Sequence, residues 1–80
     1  MKARVTVTLK NGVLDPQGQA IEGALDGLGF TGIGTVRQGK VFDIELDDCN
    51  KDTALSLLND MCKKLLANTV IEDYRVDIIG

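Results

Sequence analysis

The chain has 80 residues, 44% of them hydrophobic, with a net charge of −3, two cysteines and no histidine. That describes one modest domain, residues 1–80, in which burial gain and ordering entropy nearly balance, so association is a natural source of added stability. The acidic balance disfavours nucleic acid and anionic membrane surfaces, the missing histidine removes the commonest general base and metal ligand, and no apolar run approaches the roughly 20 residues of a membrane span.

Lys2 to Lys10 alternates, with Val5, Val7 and Leu9 on one side and Arg4, Thr6, Thr8 and Lys10 on the other, which predicts a half-buried strand. Met1 to Thr6 lacks the apolar core of a signal peptide, and the expected location is cytoplasmic. Asp15 can cap a helix whose first turn holds Pro16. From Pro16 to Leu28 the apolar residues Ile21, Ala24, Leu25 and Leu28 follow helical spacing, and Gly29 sits where a left-handed stop belongs. Glycines at 18, 23 and 27 weaken this helix, so its stability must come from packing. Gly32 to Gln38 predicts a short strand around Ile33 and Val36, and Gln38-Gly39-Lys40 a tight reversal into a second strand, Val41 to Asp48, with Phe42, Ile44 and Leu46 inward. Asp48 to Asn50 supplies a loop and a cap. Lys51 to Ala67 predicts a stronger helix with Leu55, Leu58, Cys62 and Leu65 as its core stripe. Asn68 is a C-cap, and a connector leads to a last strand, Tyr74 to Ile79.

The order β-α-β-β-α-β predicts an α+β, ferredoxin-like (split βαβ) fold: an antiparallel sheet, strand order 4-1-3-2, with two helices on one face. Gly27-Leu28-Gly29-Phe30-Thr31-Gly32 matches G-x-G-x-x-G, but these glycines close a helix, where carbonyls repel phosphate, so it is no dinucleotide site. Glu45, Asp47, Asp48 and Asp52 read as a solvated face and a helix start rather than a cation site. Cys49 and Cys62, if both lie on or beside one helix, are about 20 Å apart along it, too far for a disulfide, and Cys62 reads as a core residue. No C-x-x-C is present, and the aromatics Phe30, Phe42 and Tyr74 do not form an RNA-stacking platform. No metal is expected, nor any cofactor bound by this chain.

Three segments carry more chemistry than cap, turn and connector require. Gly18 stands in a first helical turn, where only close approach of another backbone or a ligand favours it. Arg37 and Lys40 flank Gly39 and could meet a carboxylate or phosphate. Ile71 is apolar in a connector, and Glu72-Asp73-Tyr74 suits an interface rim. The candidate contact residues are therefore Asp15, Pro16, Gln17 and Gly18; Arg37, Gly39 and Lys40; and Asn68, Val70, Ile71, Glu72, Asp73 and Tyr74.

The runs Val7-Thr8-Leu9-Lys10, Gly12-Val13-Leu14-Asp15-Pro16-Gln17-Gly18, Glu22-Gly23-Ala24-Leu25, Val36-Arg37-Gln38-Gly39-Lys40 and Asn68-Thr69-Val70-Ile71-Glu72-Asp73-Tyr74 together resemble the PurS family, small subunits of formylglycinamide ribonucleotide amidotransferase. The resemblance spans nearly the whole chain. It departs at Thr69, usually Pro, and at Asn11, often Pro or Glu. It implies a place in de novo purine biosynthesis, where formylglycinamide ribonucleotide, glutamine and ATP give the formylglycinamidine ribonucleotide, ADP, phosphate and glutamate. It implies a homodimer or tetramer that bridges a PurL-type synthetase and a PurQ-type glutaminase and supports ammonia transfer, with no catalytic residue of its own and with ATP and Mg acting at the level of the complex. The rival expectation is a homo-oligomeric ferredoxin-like module that senses a small molecule; a third is a structural dimer without partners.

Overall fold

Alternation decides β1, Lys2–Leu9: Ala3, Val5 and Val7 are buried while Lys2, Arg4 and Thr8 face solvent. In the computed structural model, which describes residues 1–80, β1 lies at the centre of a three-stranded antiparallel sheet. Its neighbours are β2, Gly39–Glu45, and β3, Glu72–Ile78, in the order β2-β1-β3. Ala3 stands opposite Ile44 on one side and Ile78 on the other.

One helix covers this sheet. Helix α2, Lys51–Met61, starts at Asn50, whose side-chain oxygen accepts the Thr53 N–H at 2.8 Å. Its stripe, Ala54, Leu58 and Cys62, is fully buried, and Leu58 and Cys62 share one core cluster with Ala3, Val5 and Val7. From Cys62 to Leu66 the helix widens into a π turn, closed by the Ala67 N–H on the Cys62 carbonyl at 3.0 Å. That widening corrects one expectation: Leu65, expected in the core stripe, is 84% exposed, and Ala67 is buried instead. Leu58→Ala is expected to lower unfolding stability by about 2–5 kcal/mol, the usual cost of emptying a fully packed leucine site. A urea titration should show a lower midpoint at unchanged slope.

Helix α1, Pro16–Gly27, does not join this core. No sizeable set of contacts links it to the sheet or to α2. Ile21, Leu28, Phe30 and Ile33 are all exposed, Leu28 by 75%. The radius of gyration is 16.1 Å, against about 12 Å for a compact chain of this length. The helix and the return segment after it therefore form an arm. Its helix ends as expected: Gly29 takes φ 93°, and the Phe30 N–H returns to the Leu25 carbonyl at 3.1 Å.

The expected hairpin is absent. Gly32–Gln38 is not a strand of this sheet, and the chain does not reverse at Gln38-Gly39-Lys40; β2 begins at Gly39 itself, opposite Thr8. The φ of Gly39 is not positive, as a tight hairpin turn would need. Gly39 is there for close approach, because a Cβ would stand 2.7 Å from the Val7 carbonyl oxygen. The α+β, ferredoxin-like arrangement stands, with three antiparallel strands in the expected relative order and two helices, but within one chain only α2 lies on the sheet.

Candidate functional site

The three segments singled out from sequence meet at the end of the sheet where β1 leaves, α1 starts and β2 enters. Asp15 is 6% exposed. One carboxylate oxygen accepts the Gly18 N–H at 2.9 Å, capping α1, and the other accepts the Gln38 N–H at 2.7 Å. The Gln38 hydrogen bond, then that of Gly18, with Arg37 nearby, holds the Asp15 carboxyl below its ordinary value of 3.8. Arg37 donates to the carbonyls of Val13 at 2.8 Å and Lys10 at 3.0 Å, and so braces the turn between β1 and α1. Glu22 accepts the Val36 N–H at 2.6 Å. Gly18 is buried, and a Cβ there would collide with the Val36 carbonyl oxygen. The backbone that approaches Gly18 is thus this chain's own.

On the other side of the junction, Lys40 reaches Glu72 at 3.9 Å and lies over the Phe42 ring at 5.9 Å. Glu72 also accepts the Asn68 N–H at 2.7 Å. Asn68 shapes the connector by an Asx turn, its side-chain oxygen accepting the Val70 N–H at 3.2 Å. That bond orders the backbone at Thr69, where the resemblance expects proline. The Lys10 N–H then donates to the Ile71 carbonyl at 2.9 Å and ties the connector to the end of β1.

An open cleft of about 470 Å³ runs between these segments, lined by Asp15, Pro16, Gln17, Gln38, Gly39, Lys40 and Glu72 with Val7 and Leu9 below. Its ionic groups are already paired with one another or with backbone, and it forms no closed pocket, so the small-molecule-sensing reading gains nothing from it. Of the remaining candidates, Val70 is 80% exposed and Ile71 and Asp73 are exposed, whereas Tyr74 turns inward and packs against the core rather than standing on a rim. The sequence reading passed over Glu22 and Gln38; a glutamate one helical turn beyond Gly18 was the available signal for Glu22, and a backbone N–H leaves none. Burial pushes the Cys62 thiol up, so it stays protonated within the core. No group of three or more Cys, Asp or Glu side chains comes together as a metal site. No helix is long and apolar enough to cross a membrane.

The chain is thus a small α+β domain of ferredoxin-like arrangement whose charged site residues brace its own backbone and which projects an arm with an exposed apolar stripe. The chain is a member of the PurS family: the family model described as PurS, phosphoribosylformylglycinamidine (FGAM) synthase, matches residues 2–80. It is 53% identical over 75 residues to the phosphoribosylformylglycinamidine synthase subunit PurS of Mycobacterium leprae (strain TN), covering 94% of this chain and 91% of that protein. The structure of Bacillus subtilis PurS in its C2 crystal form superposes with a TM-score of 0.87 at 43% identity, over 99% of this chain and 98% of that one. A chain in the structure of PurLQS from Thermotoga maritima gives 0.88 at 31% identity, over 98% and 95%.

Proposed function

We propose that this chain is the non-catalytic bridging subunit of the ligase that makes formylglycinamidine ribonucleotide from formylglycinamide ribonucleotide, glutamine and ATP. It joins a PurL-type synthetase to a PurQ-type glutaminase, supports ammonia transfer between them, and self-associates. The observation that carries this reading is its likeness, over nearly its whole length, to a chain of PurLQS. The charged groups of the cleft serve its own backbone: its carboxylates are engaged by backbone N–H groups. ATP and Mg belong to the complex, and the cytoplasm is the compartment of such a pathway.

Reconstitution tests this. The synthetase and glutaminase subunits, mixed with and without this chain, are assayed for glutamine-dependent product and for ammonia-dependent product. The expected result is that glutamine-dependent activity falls at least ten-fold without the chain, while ammonia-dependent activity changes far less. Equal glutamine-dependent activity in both mixtures removes the bridging role.

A further inference from the structure

We propose that the segment from Lys63 to Ile71, where α2 widens and the chain turns back to the sheet, is a docking surface for a subunit of the ligase that presents an apolar groove rimmed by carboxylates. The proposal rests on the bridging reading above and specifies the surface. It starts from a helix that changes phase. Leu58 and Leu65 are two turns apart, so an unbroken α-helix would put both on the buried stripe. The π turn over Cys62–Leu66 adds a residue to the last turn instead. Leu66 then packs against the core, Ala67 is buried, and Leu65 is turned out to solvent. Such turns are rare in helices and recur at functional sites. Val70 stands out in the same way, although its backbone is fixed. Its N–H donates to the Asn68 side chain at 3.2 Å, and the next N–H, that of Ile71, donates to the Asn68 carbonyl at 3.0 Å. Leu65 and Val70 are the two most exposed large apolar side chains of the whole chain, and neither belongs to the arm.

Charge identifies the occupant. The chain carries 12 acidic residues against 9 basic ones, yet Lys63 to Ile71 holds two lysines and no acidic residue. Both lysines are exposed, and neither takes part in an ion pair. The carbonyl end of the helix favours cations here, which accounts for the lysines but not for an exposed Leu65 beside them. An apolar side chain next to two unpaired ammonium groups fits a groove with an apolar floor and an acidic rim. A second copy meeting this surface about a two-fold axis would set Lys63 and Lys64 against themselves, and like charge opposes that pairing. The surface therefore fits a partner of different sequence.

Two double variants in the reconstituted complex test this: Leu65→Ser with Val70→Ser for the apolar part, and Lys63→Gln with Lys64→Gln for the charged part. All four side chains are exposed and outside the core cluster. The circular dichroism spectrum, urea midpoint and sedimentation of the isolated chain are therefore expected to stay wild-type. When glutamine-dependent product is followed against added chain, the half-saturating concentration should rise about ten-fold for the serine pair. For the wild type it should also rise as sodium chloride is raised from about 50 to about 300 mM, and the glutamine pair should flatten that dependence. With Leu65 replaced by the photo-crosslinker p-benzoylphenylalanine, irradiation should join the chain to the synthetase or to the glutaminase subunit. Unchanged half-saturation in the serine pair, an undiminished salt dependence in the glutamine pair, or a crosslink only to another copy of the chain overturns the docking surface and leaves the bridging role standing. Glutamine-dependent activity that does not respond to the wild-type chain overturns both.

Discussion

Gly18→Leu is expected to leave the sheet folded and to break assembly. Even a Cβ at this position collides with the Val36 carbonyl oxygen and comes within 3.0 Å of the Asp15 carboxylate. The conflict is with backbone, so it is relieved only by moving residues 36–38 away from α1. That movement opens the hydrogen bonds from Gln38 to Asp15 and from Val36 to Glu22. Overpacking of this kind typically costs about 1–3 kcal/mol. The core cluster of Ala3, Val5, Val7, Leu58 and Cys62 includes no residue of the arm, so it is not asked to rearrange. The expected readout is a near-wild-type far-ultraviolet spectrum with a dimer dissociation constant raised at least ten-fold, equivalent to about 1.4 kcal/mol, and glutamine-dependent activity reduced in step. Gly18→Ala should fall between the two. Undiminished assembly would mean that the angle of the arm is not what partners read; loss of the whole fold would mean that sheet and arm are not separable.

How legible this was differs from residue to residue. Strand β1 and the inward set of Phe42, Ile44 and Leu46 follow from spacing, because each buries its stripe within one chain, and both helix starts follow from their caps, Asp15 and Asn50. Gly18 was legible as a conflict with helix chemistry, and the conflict is real; what closes on it, Val36, lies far along the chain and leaves no local trace. Gly39 misleads for a related reason. A glycine between two strand-like runs reads as a turn, yet the same residue type also serves close approach, and only the register against Val7 and Thr8 separates the two. The segment 32–38 was legible as strand-forming but not as unpaired, since propensity says nothing about where the partner strand comes from. The stripe on α1 is likewise a true amphipathic signal whose counterpart is missing from the chain. Arg37 and Lys40 were legible as a cationic pair but not as braces: Arg37 spends its donors on carbonyls of the β1–α1 turn. Cleft and arm are therefore two parts of one device, in which charged side chains fix the backbone angle at which an apolar helix is presented.

Acid should release that angle before it melts the sheet. The Asp15 carboxylate is held below its ordinary value chiefly by the Gln38 N–H and then by that of Gly18. A carboxyl whose folded value is depressed contributes its stability in full above the unfolded value and loses it as pH falls through the folded one. The joint should thus be closed at pH 6 and should open progressively below about pH 4. Sheet burial is indifferent to that protonation, because none of the core cluster is ionised. In a pH titration followed by amide resonances, Gly18 and Gln38 are expected to move together at low pH while the amides of Val5 and Val7 stay in place. Asp15→Asn separates cause from coincidence. The amide can still accept one backbone N–H but cannot titrate, and its NH₂ group faces a second donor, so the joint should be looser at pH 6 and show no acid step. Glu22, the other carboxylate at the joint, is controlled by Glu22→Gln, in which the step should persist. If the step survives in Asp15→Asn, or disappears in Glu22→Gln, the pH sensitivity of the arm does not lie in Asp15, which is then reduced to a helix cap.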